Sequence, residues 1–536
     1  MNLRSSLEEI LAREPYRSIL IGIVFFLFSF YLFSHKYAWP ATPDERSYLT
    51  WSFNIFKFGE YMNVYGVPIT TVPPLYCYLL ALSFKLLGPS LDSAQLVGIL
   101  FGALCSPLAF FMGKHLYDER VGIISGIFTA TSYLIWVYSI RTISEIVLIF
   151  FVNLSILFLY LTLEKGTKRY PILLGVSLGL GYLTKELIVF LSPLLLLILY
   201  EKNHNVRTRI RNFCLCGVSG AVVIAPWWYR VSTTAPQKVL GGITGRTGAG
   251  GFFTSWGFRG SEEVVSIFTF EGRISMLVLI LFYIGVLFAV RRYWNHRKMP
   301  DKVLVLSVVS WFFLFTFNTI MPVQERRLVP MLIPFYILSS RALTGLYRRM
   351  KKIEVAVEKT IPLTFILIII LFSYWNTGLS LNEWGKFRFS SFTQENEIDY
   401  LKETLFLEDC NLFSSRYDKD EVVGSSFAYL FYFYTEGQCV SYRLRMENLS
   451  DMASETIIYK YNPQKGISEE ILLRQISEDN ISIVLVLAER NVVTLVEYLR
   501  SKPSIFTERT GDGYKATFVF EVNREELEEY LESLCS

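Results

Sequence analysis

Asp44 and Glu45 are adjacent carboxylates just beyond the first long apolar run of the chain. A carboxylate in that position can take a proton from a hydroxyl, which is general-base chemistry. Farther on, Arg141-Thr142-Ile143-Ser144-Glu145 sets an arginine and a second acid at i, i+4. That spacing suits a helix-surface ion pair. Glu145 also heads a long apolar run, where a carboxylate needs a cation, a lysine or a second carboxylate sharing a divalent ion. Lys185 could pair with Glu186 or Glu145, or supply positive charge to a phosphate. Arg230 follows Pro226-Trp227-Trp228-Tyr229, and Gln324-Glu325-Arg326-Arg327 places two arginines before a late apolar run. Acids for a base and cations for a leaving phosphate fit group transfer from a lipid-linked phosphate donor. Structural roles compete with this chemistry. Thr42-x-x-Glu45 is a capping box with Pro43 at the first helical position, which accounts for Glu45 but does not require Asp44.

The chain that must position these residues has 536 residues, 52% of them hydrophobic, too apolar for an ordinary soluble protein of this size. No basic stripe with interleaved aromatics is present, so nucleic acid is not an expected partner. Four histidines and no CxxC argue against a zinc site, and Cys214-x-Cys216 reads as packing at the start of a span. The first apolar run follows a charged stretch and has no small-residue cleavage site after it, so it reads as a retained helix.

Hydropathy gives eleven candidate spans: Ser18–Ser34, Ala94–Gly113, Val121–Ile140, Ile146–Leu163, Ile172–Thr184, Leu187–Tyr200, Phe213–Trp228, Ile274–Val290, Val303–Met321, Leu328–Ser340 and Ile361–Tyr374. If Pro74–Leu87 lies along the interface, the basic clusters at Lys114/Arg120, Lys165–Arg169, Lys202–Arg211, Arg291–Lys298 and Arg348–Lys352 all fall on the side of the amino terminus. The positive-inside rule makes that side cytoplasmic. Asp44, Glu145, Lys185 and Arg327 then belong to the outer face, where joint action on one donor requires that they converge on one pocket. Ile172–Thr184 and Leu187–Tyr200 are short, so the Lys185-Glu186 turn is expected below the outer surface, where an ionisable residue suggests function.

The expected architecture is a polytopic α-helical membrane protein of about eleven transmembrane helices plus interfacial helices, with a C-terminal soluble α/β domain. Residues 1–379 form the membrane domain, with outer loops 35–93 and 231–272, and residues 380–536 form the extracytoplasmic domain. Within the first loop, Tyr48, Trp51, Ile55 and Phe58 give an interfacial helix an apolar face. The glycine-rich stretch 241–260 reads as a covering loop or plain linker. In the tail, helical patterns alternate with apolar runs at Ile481–Ala488 and Thr517–Val522. Cys410 and Cys439 could pair in an oxidising exterior, and sequons stand at Asn448 and Asn480.

At these residues the sequence resembles the GT-C glycosyltransferases, in the group that contains protein O-mannosyltransferases and lipid A aminoarabinose transferases. Asp44-Glu45 matches the family's early acid motif, and Pro73-Pro74-Leu75 through Leu87-Gly88 its Pro-Pro-Leu segment. Arg141 with Glu145, Thr184-Lys185, Pro226–Arg230, and Arg327 with Pro330 match later motifs in order over roughly residues 17–345. The resemblance implies a GT-C fold, a polyprenyl-phosphate-sugar donor such as dolichyl phosphate mannose, and inversion at the sugar. It makes Asp44 the base and Glu145 the second acid, with Asp44 and Glu145 as ligands of a divalent cation (Mg or Mn) if one is used. Arg141, Lys185, Arg230, Arg326 and Arg327 become candidate phosphate contacts. Two positions depart from the pattern: the second acid is glutamate where aspartate is commoner, and Val72 stands where lysine or histidine is common.

The resulting expectation is an integral-membrane glycosyltransferase, in a prokaryotic plasma membrane, moving a sugar to an acceptor hydroxyl of protein, lipid or glycan. Its partners are the lipid donor, the bilayer and that acceptor. A polytopic transporter and a non-catalytic anchor for the tail are the alternatives. Neither an internal repeat nor midplane polar pairs favour the transporter.

Overall fold

The computed structural model describes residues 14–34, 43–63, 67–201, 204–235, 276–296, 298–317, 325–353, 423–425, 477, 483–487, 499–509 and 517–535. The predicted span Ile361–Tyr374, the glycine-rich stretch, Cys410, Cys439, both sequons and Thr42 lie outside the described residues. The chain divides into two compact units. One comprises Met1–Tyr37 with Thr70–Gly385, the other Ala38–Ile69 with Lys386–Ser536.

The described residues of the first unit are helical. Its described elements are α1 (Glu14–Ser34), α3 (Leu75–Leu87), α4 (Leu91–Leu116), α5 (Glu119–Ala130), α6 (Tyr133–Ile140), α7 (Glu145–Lys165), α8 (Arg169–Thr184), α9 (Ser192–Tyr200), α10 (Val206–Thr234), α11 (Met276–His296), α12 (Met299–Phe317), α13 (Glu325–Leu328) and α14 (Leu332–Ile353). The label α2 belongs to Pro43–Phe58, in the second unit. Short side chains start several of these helices. Ser90, Asp118 and Asn205 accept from the backbone amides of Ser93, Val121 and Thr208 at 3.1, 3.0 and 2.8 Å, satisfying amides that a helix start leaves unpaired. Gly166 ends α7 in the left-handed conformation (φ 61°) that glycine takes without strain.

Among the described residues, six helices are long and apolar enough to cross a membrane, or seven if the bent pair α5–α6 counts as one span. The apolar window of α7 is 83% buried. It is hydrophobic all round, which suits a helix enclosed by others, and it packs against α4, α8, α12 and the 3-10 turn Val329–Met331. By contrast the windows of α1 and α10 are 28% and 22% buried. Their exposed Ile23, Val24, Leu27, Val218 and Val222 form apolar faces suited to lipid. Close helix approach depends on small residues. A Cβ added to Gly175 of α8 would stand 2.2 Å from the Cys216 carbonyl oxygen of α10.

Several predicted spans differ in detail. Val121–Ile140 is not one helix but α5 and α6, bent by 51°. Hydroxyl groups make the break: Ser132 Oγ accepts from the Ile135 amide at 3.4 Å to start α6, and shares a 2.7 Å hydrogen bond with Tyr336 of α14. Leu187–Tyr200 begins as a 3-10 helix, Glu186–Leu191, before continuing as α9. The span Phe213–Trp228 belongs to a 29-residue helix, α10, that runs through Pro226 to Thr234.

In the second unit, α2 begins with Asp44 and Glu45 in its first turn. Its burial is not confined to the stripe of Tyr48 and Trp51, because Ser47, Leu49, Thr50, Ser52, Phe53 and Asn54 are also buried, while Phe58 is exposed. The buried polar groups find local acceptors. Ser52 Oγ donates to the Tyr48 carbonyl at 2.6 Å, and Asn54 Nδ2 to the carbonyls of Met62 and Asn63, both at 3.0 Å. Farther along lies a four-stranded sheet of β1 (Val423–Ser425), β2 (Ile483–Leu487), β3 (Phe506–Glu508) and β4 (Thr517–Val522), in the order β1-β2-β4-β3. β1 is parallel to β2, with Val423 opposite Ile483, and β4 is antiparallel to both β2 and β3. α15 (Arg524–Cys535) follows β4.

Candidate anion-binding and catalytic site

Glu145 opens α7 and is 2% exposed. A carboxylate suits the positive end of a helix, yet burial on an apolar helix demands a countercharge. Lys185 supplies it. The chain leaves the helical conformation at Lys185 (φ −163°, ψ 134°) after its amide bonds the Gly181 carbonyl at 2.9 Å. The following 3-10 turn folds closely against α8, since a Cβ at Gly181 would lie 2.2 Å from Ile188 Cδ1. From that turn Lys185 Nζ donates to Glu145 Oε1 at 2.7 Å. Arg326 Nη1 stands 3.9 Å from the same oxygen. Glu145 thus faces two cations, and both keep solvent access, with side chains 21% and 32% exposed.

The turn bearing Arg326 and Arg327 is held by its backbone. Trp311 Nε1 of α12 donates to the Arg327 carbonyl at 2.8 Å, and Asn153 Nδ2 of α7 to the Pro330 carbonyl at 2.9 Å. Trp311 and Asn153 are both fully buried. Neither was singled out by its sequence. The available signal was a lone amide in the apolar run Ile146–Leu163.

Among the sequence-predicted residues, then, Glu145, Lys185 and Arg326 come together, with Arg327 next in the chain. Arg141 ends α6 in an extended conformation (φ −90°, ψ 146°), four residues before Glu145, through a segment in which Thr142, Ile143 and Ser144 are buried. Arg230 sits within the continuous helix α10, one turn beyond buried Trp227, rather than at a helix end. Asp44 is exposed and Glu45 is 4% exposed, both in the first turn of α2 in the second unit.

The groups around Glu145 do not suit a divalent cation. Its Oε1 already faces an ammonium and a guanidinium, which would repel a metal ion, and hard cations want several oxygen ligands. Among the described residues no group of three or more His, Cys, Asp or Glu side chains forms a metal-binding cluster. The arrangement favours an anion beside Lys185 and Arg326.

The family model of dolichyl-phosphate-mannose-protein mannosyltransferases matches residues 71–229, a stretch that contains Arg141, Glu145 and Lys185. An undecaprenyl phosphate-α-4-amino-4-deoxy-L-arabinose arabinosyl transferase of Pseudomonas aeruginosa is 26% identical over 216 residues, 39% of this chain and 39% of the relative. The match thus spans about two fifths of that relative's length. In fold, ArnT from Cupriavidus metallidurans, solved bound to undecaprenyl phosphate, aligns with a TM-score of 0.64 and 12% identity, covering 94% of this chain and 97% of that one. The oligosaccharyltransferase AglB from Archaeoglobus fulgidus, solved with an inhibitory peptide and a dolichol-phosphate, aligns with a TM-score of 0.53 and 12% identity over 88% of this chain and 70% of that one. The chain resembles the GT-C glycosyltransferases in sequence and shares their fold.

Proposed function

We propose that the chain is a membrane glycosyltransferase that moves a sugar from a polyprenyl-phosphate donor to an acceptor hydroxyl. The observation that carries this reading is the convergence of Lys185 and Arg326 on buried Glu145. Glu145 aligns the two cations, and these meet the donor phosphate. The acceptor oxygen attacks the anomeric carbon and gives its proton to a carboxylate base, the role that the sequence resemblance assigns to Asp44. The bond from that carbon to the phosphate oxygen breaks, its electrons stay on the phosphate, and the polyprenyl phosphate leaves. Lys185, Arg326 and Arg327 lower the cost of that charge. Arg141 and Arg230 are further phosphate contacts, and Glu45 supports the first turn of α2. No step runs through a divalent ion. Attack opposite the leaving group inverts the sugar.

The topology belongs to the same proposal. Eleven crossings and an interfacial α3 place the amino terminus in the cytoplasm and residues 380–536, an α/β domain, outside, in a prokaryotic plasma membrane. Residues 1–379 form the membrane domain. The basic clusters between spans support this orientation.

The test uses purified protein in nanodiscs with radiolabelled undecaprenyl-phosphate sugars, beginning with 4-amino-4-deoxy-L-arabinose, the sugar of the Pseudomonas relative. Release or transfer of label, lost in Asp44→Ala at normal expression, is the expected result. No turnover of any polyprenyl-phosphate sugar, together with potential-sensitive solute flux in liposomes, would favour a transporter.

A further inference from the structure

α12 contacts both cation-bearing turns through two consecutive residues. Ser310 Oγ donates to the Phe190 carbonyl at 3.0 Å, within the 3-10 turn that follows Lys185. Trp311 packs its ring edge-on against Phe190, with centroids 5.7 Å apart and planes at 76°. Its indole N–H meanwhile holds the Arg327 carbonyl at 2.8 Å. On the far side of the arginine turn, Asn153 Nδ2 donates at 2.8 Å to its own helix at Ile149 and at 2.9 Å to Pro330. The turn is therefore gripped from α12 and from α7, the helix that also presents Glu145. Trp311 is 0% exposed, so its N–H touches no ligand.

We propose that Trp311 is a positioning residue that sets the spacing between Lys185 and the Arg326-Arg327 pair, with Asn153 as the second anchor. A phosphate held by both turns needs their cations at a fixed separation. A shift of the arginine turn by a fraction of an ångström weakens two charge-assisted contacts at once. This inference rests on the polyprenyl-phosphate reading above and adds to it residues that do not touch substrate.

The test compares wild type with Trp311→Phe, which keeps an aromatic ring facing Phe190 and removes the N–H together with part of the indole's volume. Asn153→Leu is the second variant, and Trp294→Phe, 82% exposed, is the control for loss of an indole. Undecaprenyl phosphate binding, donor KM and kcat are measured alongside the melting temperature and hydrogen exchange of residues 325–331. The expected result is a roughly tenfold rise in Kd and donor KM, the size of one lost buried hydrogen bond, with kcat changed less and faster exchange in 325–331. Trp294→Phe should match wild type. If wild type binds and Trp311→Phe and Asn153→Leu bind equally well, the positioning role is wrong while the donor reading survives. Loss of melting temperature in both variants, with donor affinity unchanged in the folded fraction, also overturns it. A wild type that does not bind undecaprenyl phosphate removes the donor reading and this inference together.

Discussion

Lys185 Nζ lies 2.7 Å from Glu145 Oε1 although the two residues are 40 positions apart. Their pairing joins the end of α8 to the start of α7. It resolves the choice of partner for Lys185 in favour of a carboxylate that has almost no water of its own. Arg326 reaches the same oxygen from a second turn of the chain, at 3.9 Å.

Breaking this pair from one side leaves a buried charge. Lys185→Met should destabilise the protein by about 3 kcal/mol, the lower end for a broken buried pair because the lysine is partly exposed. The double variant Glu145→Gln/Lys185→Met should recover most of that loss. Melting temperatures of the single and double variants in detergent check this. A single variant as stable as wild type would show that the pair does not hold α7 to α8.

Asp44 and Glu45 are adjacent but should behave differently. Asp44 is exposed and Glu45 is buried. Asp44→Asn should lower sugar transfer by about 10²-fold or more, as for loss of a general base, at unchanged melting temperature. Glu45→Gln, at a buried position, should lower the melting temperature and reduce transfer less than Asp44→Asn. Transfer rates and melting curves on the two variants separate the roles.

Gly98 of α4 holds the end of α6, and so the approach to Arg141. A Cβ there would stand 2.4 Å from the Ser139 carbonyl oxygen and 3.4 Å from that of Arg141, whereas one at Gly217 would meet nothing within 4 Å. Gly98→Ala must move backbone and should cost both stability and donor affinity. Gly217→Ala should be neutral or stabilise by up to about 1 kcal/mol, as alanine replaces glycine in a helix interior. Expression level and melting temperature of the two variants give the comparison.

At the other end of α4, Tyr117 Oη donates to Asp301 Oδ1 at 2.7 Å, and Arg341 Nε and Arg292 Nε lie 3.5 and 3.6 Å from the two carboxylate oxygens. The Arg341 guanidinium also stacks over the Tyr117 ring at 4.0 Å. Burial and the neighbouring carboxylate push the Tyr117 phenol well above its ordinary value, so it remains a donor. Asp301→Ala removes the carboxylate partner of the mostly buried Arg341 and should cost about 3 kcal/mol. Tyr117→Phe should cost about 1–2 kcal/mol. Neither should change the donor KM of the protein that remains folded, which direct assay of the folded fraction checks.

Much of this was legible in the sequence, and the illegible parts have physical reasons. Long apolar runs placed α1, α4 and α7, in α4 despite the interior Pro107. The acid at Glu145 and the lysine at Lys185 stood out because charge is costly at the ends of such runs. The break at Ser132 was hidden, since Thr131 and Ser132 look like ordinary small polar residues until their hydroxyls find backbone and Tyr336 partners. Asn153 and Trp311 stayed unmarked for a similar reason: their acceptors, Pro330 and Arg327, are backbone carbonyls 177 and 16 positions away, which no local spacing reveals. The burial of Ser47, Thr50, Ser52 and Asn54 escaped the apolar-stripe rule because serine, threonine and asparagine can satisfy themselves on nearby carbonyls.

The most direct measurement is equilibrium binding of undecaprenyl phosphate to the purified protein in nanodiscs, comparing wild type with Glu145→Gln/Lys185→Met at matched melting temperature. The site described here predicts saturable binding to wild type, weakened at least about tenfold in the double variant, as expected when a charge-assisted phosphate contact is lost. Equal affinity in the two folded proteins would contradict it and place the lipid phosphate elsewhere.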